Sequence, residues 1–200
     1  MSSGDLKSLI AVAGAELARV AEAVRADAMT AETPCEKFDV QGLLTHLLYW
    51  APVFELAARK EPIPTGRPAE GEQDLAVGDW RNLLADNIHA LATAWSDPAA
   101  WEGVTSIGRS DLGDLPAAFV GSLVLSEFAV HGWDLARAVG SSYQCDDHVA
   151  EAVYGILAES AEHGRASGAF GPEVAVPATA STLDRTLGVS GRDPNWSPKG

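Results

Sequence analysis

The chain has 200 residues, 46% of them hydrophobic and 21% charged, and its mean hydropathy is close to zero. That length supports one buried core without disulfide staples, and two cysteines, Cys35 and Cys145, are too few for a disulfide framework. Fourteen Lys and Arg against twenty-eight Asp and Glu leave a net charge of −14 with no basic cluster. This argues against a surface that displaces counterions from nucleic acid or docks on anionic lipid, and no apolar run of about 18 residues is present to span a bilayer.

Apolar residues at Leu6, Leu9, Ile10, Ala13, Leu17, Val20 and Val24 predict a first helix over Asp5–Arg25. Because its apolar stretch runs straight into Glu16 and Arg19 at helical spacing, it reads as a helix and not as a signal peptide. A cytoplasmic protein with two free thiols is therefore expected. After the loop TAETPCEKF, Asp39 is the predicted N-cap of a second helix running to about Lys60. Its stripe is Leu43, His46, Leu47, Trp50, Phe54 and Ala57, with Pro52 expected to bend it or relax its backbone bonding. Residues 61–73 are rich in proline and glycine and read as a connecting loop.

A third helix, about Gly78 to Ser96, is expected to bury Trp80, Leu83, Leu84, Ile88, Leu91 and Trp95. Residues 97–114 contain Gly, Ser and Asp turns that suit a short strand or a lid over a pocket. The fourth helix, about Leu115 to Val139, starts near Pro116 and stops at Gly140. The fifth runs from Asp146 to about His163, with Gly164 as its stop, and STLDRTLG gives one more helical hint in the tail. No repeat and no linker between two cores is evident. The expectation is a single all-α domain over residues 1–200: a four-helix bundle with an additional helix (1–164) and an irregular C-terminal tail (165–200) packed on it.

The unusual residues lie on helices two and four. Glu127 and His131 are four apart and project from one face, the inward stripe Val120, Val124, Leu135 and Ala138. Burying a carboxylate and an imidazole there is costly without a partner. His46 sits on the apolar stripe of helix two, which a bundle can bring opposite helix four. Two imidazoles and a carboxylate suit a zinc ion with one open coordination position, and Asp134 follows His131 on nearly the same face as a second-layer orienter. Spacing alone leaves another reading open, in which His46 is a core histidine hydrogen-bonded to a neighbour and Glu127 and His131 form an ordinary helical pair.

Three segments carry a resemblance: TPCEKFDVQGLLTHL (33–47), EFAVHGWDLARAVG (127–140) and FGPEVAVPATASTLDRTLGVSGRDPNW (170–196). Together, in this order and spacing, they resemble the DinB-like superfamily, in the branch near the N-terminal domain of mycothiol-dependent maleylpyruvate isomerase and its actinobacterial members. The resemblance implies an up-down-down-up four-helix bundle holding one metal ion, with His46, Glu127 and His131 in the ligand positions. It also implies a metal-dependent thiol transferase or isomerase that uses a low-molecular-weight thiol such as mycothiol. The Arg bias, ten Arg to four Lys, agrees with a high-GC actinobacterial source. Only about forty residues follow the bundle, too few for the isomerase's C-terminal domain, which puts maleylpyruvate isomerisation itself in doubt.

Two other classes stay open: metal-dependent hydrolysis or elimination without a thiol, and non-catalytic metal or ligand binding. The partners expected are a small electrophile and a thiol, with neither nucleic acid nor membrane. Cys35 reads as a fourth ligand, a redox thiol or a packing residue. Trp50 and Trp133 read as pocket-lining or core residues, and His89, His148 and His163 as surface or packing residues. Arg185 and Arg192 would clamp a carboxylate if the tail folds over the metal, or pair with Asp184 or Asp193. Trp80, Trp95 and Trp101 are the candidates for an exposed apolar patch that would support a homodimer.

Overall fold

Amphipathic periodicity decides the architecture. In the computed structural model, residues 3–109, 111–166 and 168–198 are described, and six α-helices account for most of them. They are α1 (Ser3–Glu22), α2 (Val40–Arg59), α3 (Trp80–Ser96), α4 (Ala117–Val139), α5 (Asp147–Ala166) and α6 (Thr182–Val189). The predicted stripes become the core: Ile10, Leu17, Leu43, Leu91, Val124 and Leu135 are fully buried. Burial of each such side chain contributes roughly 1.5–3 kcal/mol.

The first four helices form the bundle, with α1 and α2 each packed against both α3 and α4. Their directions follow from contacts at their ends. Trp95, late in α3, donates its indole N–H to the carbonyl of Phe54, late in α2, at 3.0 Å. Arg81, at the start of α3, donates to the carbonyl of Val24, just past α1. Glu16, late in α1, accepts the N–H of Gln144, just past α4, at 2.6 Å. Hence α1 and α4 run one way and α2 and α3 the other, the up-down-down-up order. Gly14 permits the close approach in the middle of the bundle, since a Cβ there would lie 2.7 Å from Ile88 Cγ2.

Local signals set the helix ends. Asp39 caps α2, its side chain accepting from the N–H of Gly42 at 2.8 Å, and α2 continues through Pro52. Gly140 ends α4 in the left-handed conformation at φ 68°, and Ser181 caps α6. The expected stop at Gly164 is not one. Helix α5 runs on to Ala166, and Gly164 is buried where a Cβ would meet the Phe170 ring at 2.5 Å. This glycine serves close packing of the tail.

Two further expectations are corrected. Leu83 is half exposed on the outer face of α3, because α3 packs through Trp80, Leu84, Ile88, Leu91 and Trp95. Nor do Trp80, Trp95 and Trp101 form an exposed patch: all three are buried. The Trp101 indole N–H donates to the carbonyl of Trp95 at 2.8 Å and the two rings meet edge to face. These indoles close the end of the bundle, so the expected homodimer loses that support.

In the 97–114 stretch, Val104–Thr105 (β1) pairs antiparallel with Leu115–Pro116 (β2), and Ile107 and Arg109 reach the wall of a cavity. Helix α6 packs on α5, with Leu187 buried and the Thr186 hydroxyl donating to the carbonyl of Ala150. Among the described residues, no helix is long and apolar enough to cross a membrane.

Candidate metal centre

Helix α4 packs against α1, α2 and α5, which buries its polar Ser126, His131 and Asp134. Its Glu127 and His131 come together as the one-turn spacing requires, with His131 Nε2 3.3 Å from Glu127 Oε2. Across the bundle, α2 brings His46 Nε2 to 3.0 Å from the same carboxylate oxygen. Three ligand atoms from these residues lie within 4.8 Å of one another. A tetrahedral ion bound at roughly 2.0–2.2 Å holds its ligands about 3.3–3.5 Å apart, so the donor set is close to the spacing zinc requires.

The far side of each imidazole is also occupied. His131 Nδ1 faces Asp134 Oδ2 at 2.9 Å, and His46 Nδ1 faces Glu70 Oε1 at 2.5 Å. Each ring therefore gives its Nδ1–H to a carboxylate and turns Nε2 toward Glu127. This is the arrangement in which outer carboxylates orient metal-binding histidines and raise their basicity. Glu70 lies in the stretch read only as a connector. Nothing local marks it, because it reaches His46 across 24 residues and is steadied by the indole N–H of Trp50 at 2.9 Å.

Without an ion, protons fill the same role. Burial works against charge on His46, but hydrogen bonds to Glu127 and Glu70 outweigh it and push its pKa up to about 9. Burial opposes charge on His131 too, and Glu127 and Asp134 reverse it, raising that pKa. Burial alone would raise the Glu127 carboxyl, yet the His131 cation and hydrogen bonds from both imidazoles hold it well below the usual carboxylate range. What exposure Glu127 keeps is toward the cavity. Without metal, the raised imidazoles and the lowered Glu127 and Glu70 carboxyls favour charge-paired forms, and a divalent cation in place of imidazolium protons would supply charge of the same sign.

A second grouping, Cys35, His131 and Asp134, also lies within metal-binding reach. It fits an ion poorly. Asp134 Oδ2 already accepts from His131 and from Arg192 Nη2 at 3.0 Å, which would set a guanidinium beside the cation. Burial pushes the Cys35 thiol pKa up, which favours the neutral form over the thiolate that ligation needs.

The remaining expectations sort by geometry. Arg192 pairs with neither Asp184 nor Asp193. It is buried and forks onto Asp134, so the tail does fold over the site. Arg185 stacks over the Tyr154 ring and stays away from the centre. Trp50 lines the cavity, whereas Trp133 is buried elsewhere with Arg137 over its ring. His89, His148 and His163 lie on the surface. Both cysteines are free thiols.

Beside the centre lies a cavity of about 580 Å³ walled by Phe38, Trp50, Phe54, Leu123, Leu157 and Phe170, with Lys37, Arg109 and Arg192 among its polar residues. A neighbouring cavity of about 610 Å³ shares Trp50, Glu70, Ile107 and Arg109 with it.

Fold and site together define a helical-bundle protein with a candidate metal centre between α2 and α4, built from two carboxylate-backed histidines and a glutamate. Residues 10–136 match the mycothiol maleylpyruvate isomerase N-terminal domain family, and the chain belongs to that family. Two uncharacterized proteins from strains of Mycobacterium tuberculosis are each 28% identical over 127 residues. That match takes in 64% of this chain and 63% of each relative's length. The crystal structure of mycothiol-dependent maleylpyruvate isomerase superposes with a TM-score of 0.59 at 18% identity, covering 82% of this chain and 73% of that one. A histidine-to-alanine mutant of the isomerase gives the same TM-score at 17% identity. At these identities the superpositions speak for the fold alone.

Proposed function

We propose that the chain is a metal-dependent enzyme of the thiol transferase or isomerase type, binding one divalent ion, zinc by its donor set, through His46, Glu127 and His131. The observation that carries this reading is the pair of imidazoles with Nδ1 held by Asp134 and Glu70 and Nε2 turned on one glutamate oxygen. Family membership favours a low-molecular-weight thiol such as mycothiol as co-substrate.

When bound, the ion supplies a cationic open position that favours the ionised form of a thiol or water. The protein's own residues do the rest. Asp134 and Glu70 keep the Nδ1 protons and so fix both rings. Trp50, Phe54, Leu157 and Phe170 form an apolar wall that receives the body of an electrophile and excludes water. Lys37 places positive charge at that cavity and draws anionic groups toward it, while the Arg109 charge is paired with Asp111.

The test is turnover of chlorobimane by zinc-loaded protein with and without mycothiol. Thiol-dependent conjugation, lost on chelation and restored by zinc, is the expected result. Ester or amide hydrolysis without thiol would replace this reading by the hydrolytic one. Stoichiometric zinc with neither activity nor calorimetric thiol binding would leave a metal-binding protein and overturn the transferase reading.

A further inference from the structure

We propose that Arg192 is a positioning residue of the metal centre, so that the C-terminal segment completes a site whose ligands lie on α2 and α4. The inference rests on the metal reading above and adds a residue from a third part of the fold.

Arg192 follows α6 and reaches back 58 positions to Asp134. Its Nη2 lies 3.0 Å from Oδ2 and its Nε 3.4 Å from Oδ1, so the fork spans both carboxylate oxygens. The guanidinium is held from behind as well: Nη1 donates to the carbonyl of Ser190 at 3.1 Å, and the backbone N–H of Arg192 donates to the carbonyl of Leu187 at 2.9 Å. At 8% exposure the arginine is buried, and Asp134 is wholly so.

That geometry bears directly on a ligand. Asp134 Oδ2 is the oxygen shared between Arg192 and His131 Nδ1. A carboxylate gripped at one oxygen rotates about its Cβ–Cγ bond, whereas one gripped at both keeps its plane. The plane of Asp134 sets the direction of the His131 Nδ1–H, and hence where Nε2 points on the other side of the ring. A buried carboxylate without its cation would also be strongly unfavourable, so the pair is mutually required.

A different role, clamping the carboxylate of a substrate, fits less well. Nε, Nη1 and Nη2 are all engaged within the protein, and the fork faces Asp134. Arg192 therefore acts on the centre through Asp134 and His131.

The experiment is cobalt(II) titration of the full-length metal-free protein, followed by calorimetry and by the visible d–d absorption of the bound ion. Wild type is expected to bind about one ion per chain. Arg192→Ala should bind roughly tenfold more weakly or worse, as loss of outer-layer partners does, with an altered d–d spectrum that millimolar guanidinium restores. Arg192→Lys keeps the charge and loses the fork, so it should recover only part of the affinity and retain an altered spectrum. Wild-type affinity and spectrum in Arg192→Ala would overturn the proposal. If that variant lacks the wild-type helical circular dichroism, the folded Arg192→Lys decides, and a wild-type spectrum there overturns it equally. Failure of wild type itself to take up stoichiometric cobalt would instead strike the metal reading, and the role of Arg192 with it.

Discussion

The two histidines of the centre have the same chemistry and are supported in opposite ways. His131 is backed by Asp134, which is fully buried and held by a buried arginine from the tail. His46 is backed by Glu70, on a surface loop, with 33% of its side chain exposed and an indole N–H as its other partner. Desolvation makes the first support strong and unforgiving, since losing either partner strands a buried charge. Solvent makes the second adjustable. One candidate centre thus joins a histidine backed by a buried ion pair to one backed by a partly exposed carboxylate, and Glu70, on the second side, lines both cavities.

Removing the ligands bears hardest on this comparison. His46→Ala, Glu127→Ala and His131→Ala should each abolish stoichiometric zinc in purified protein, measured by elemental analysis. Full occupancy in all three would sink the assignment on both sides of the site.

The next largest difference separates the two supports. Asp134→Asn should cost about 10–100-fold in metal affinity and about 3–5 kcal/mol in stability, because Arg192 is left buried without its counter-charge. Glu70→Gln should leave stability within about 1 kcal/mol, as exposed ion pairs do, and weaken metal by about tenfold or less. Chemical denaturation beside calorimetric titration checks both, and equal stability losses would erase the distinction.

The metal-free protein should also show the comparison in its pH dependence. A folded pKa raised from 6.5 to about 9 at His46 means the proton stabilises the fold below about pH 6.5 and that contribution is lost as pH rises toward 9. The span corresponds to on the order of 3 kcal/mol, with His131 adding in the same direction. Thermal melts of metal-free protein should therefore fall between pH 7 and 9, while zinc-loaded protein holds nearly constant. Calorimetry in buffers of different ionisation enthalpy should show one to about two protons released per ion bound near pH 7. A flat metal-free melt across that range would contradict the proton-for-metal exchange.

The smallest expected effect concerns the alternative ligand. Cys35→Ser should change zinc affinity by less than about threefold, because the Asp134 oxygen it would share with an ion is occupied by His131 and Arg192. A loss of tenfold or more would bring the thiol into the coordination sphere.

What the sequence by itself determined are the properties a helix carries within one or two turns. Leu83 apart, the stripes of α1 to α4, the Asp39 cap, the Gly140 stop and the common face of Glu127 and His131 follow from periodicity and capping, which act over three or four residues. That His46 shares an apolar stripe was legible for the same reason, and the quoted segments, resembling a known family, singled out His46, Glu127 and His131, which the fold does bring together as a candidate ligand set. Close packing misled local reasoning at Gly164, where a tertiary contact with Phe170 outranks the usual role of glycine as a helix stop. The tryptophans show a related limit: an amphipathic pattern says which side is apolar, while only the folded chain says what covers Trp95 and Trp101.

The backing of the histidines belongs to tertiary structure alone. Glu70 and Arg192 lie 24 and 58 residues from the groups they hold, and each has nearer charged residues in sequence. Arg192 passes over its neighbour Asp193 because Asp193 is exposed and gains little from an ion pair, whereas Asp134 is buried and needs one. Local spacing sets which face a side chain occupies, but desolvation, which exists only after the chain has packed, decides which charges must find each other.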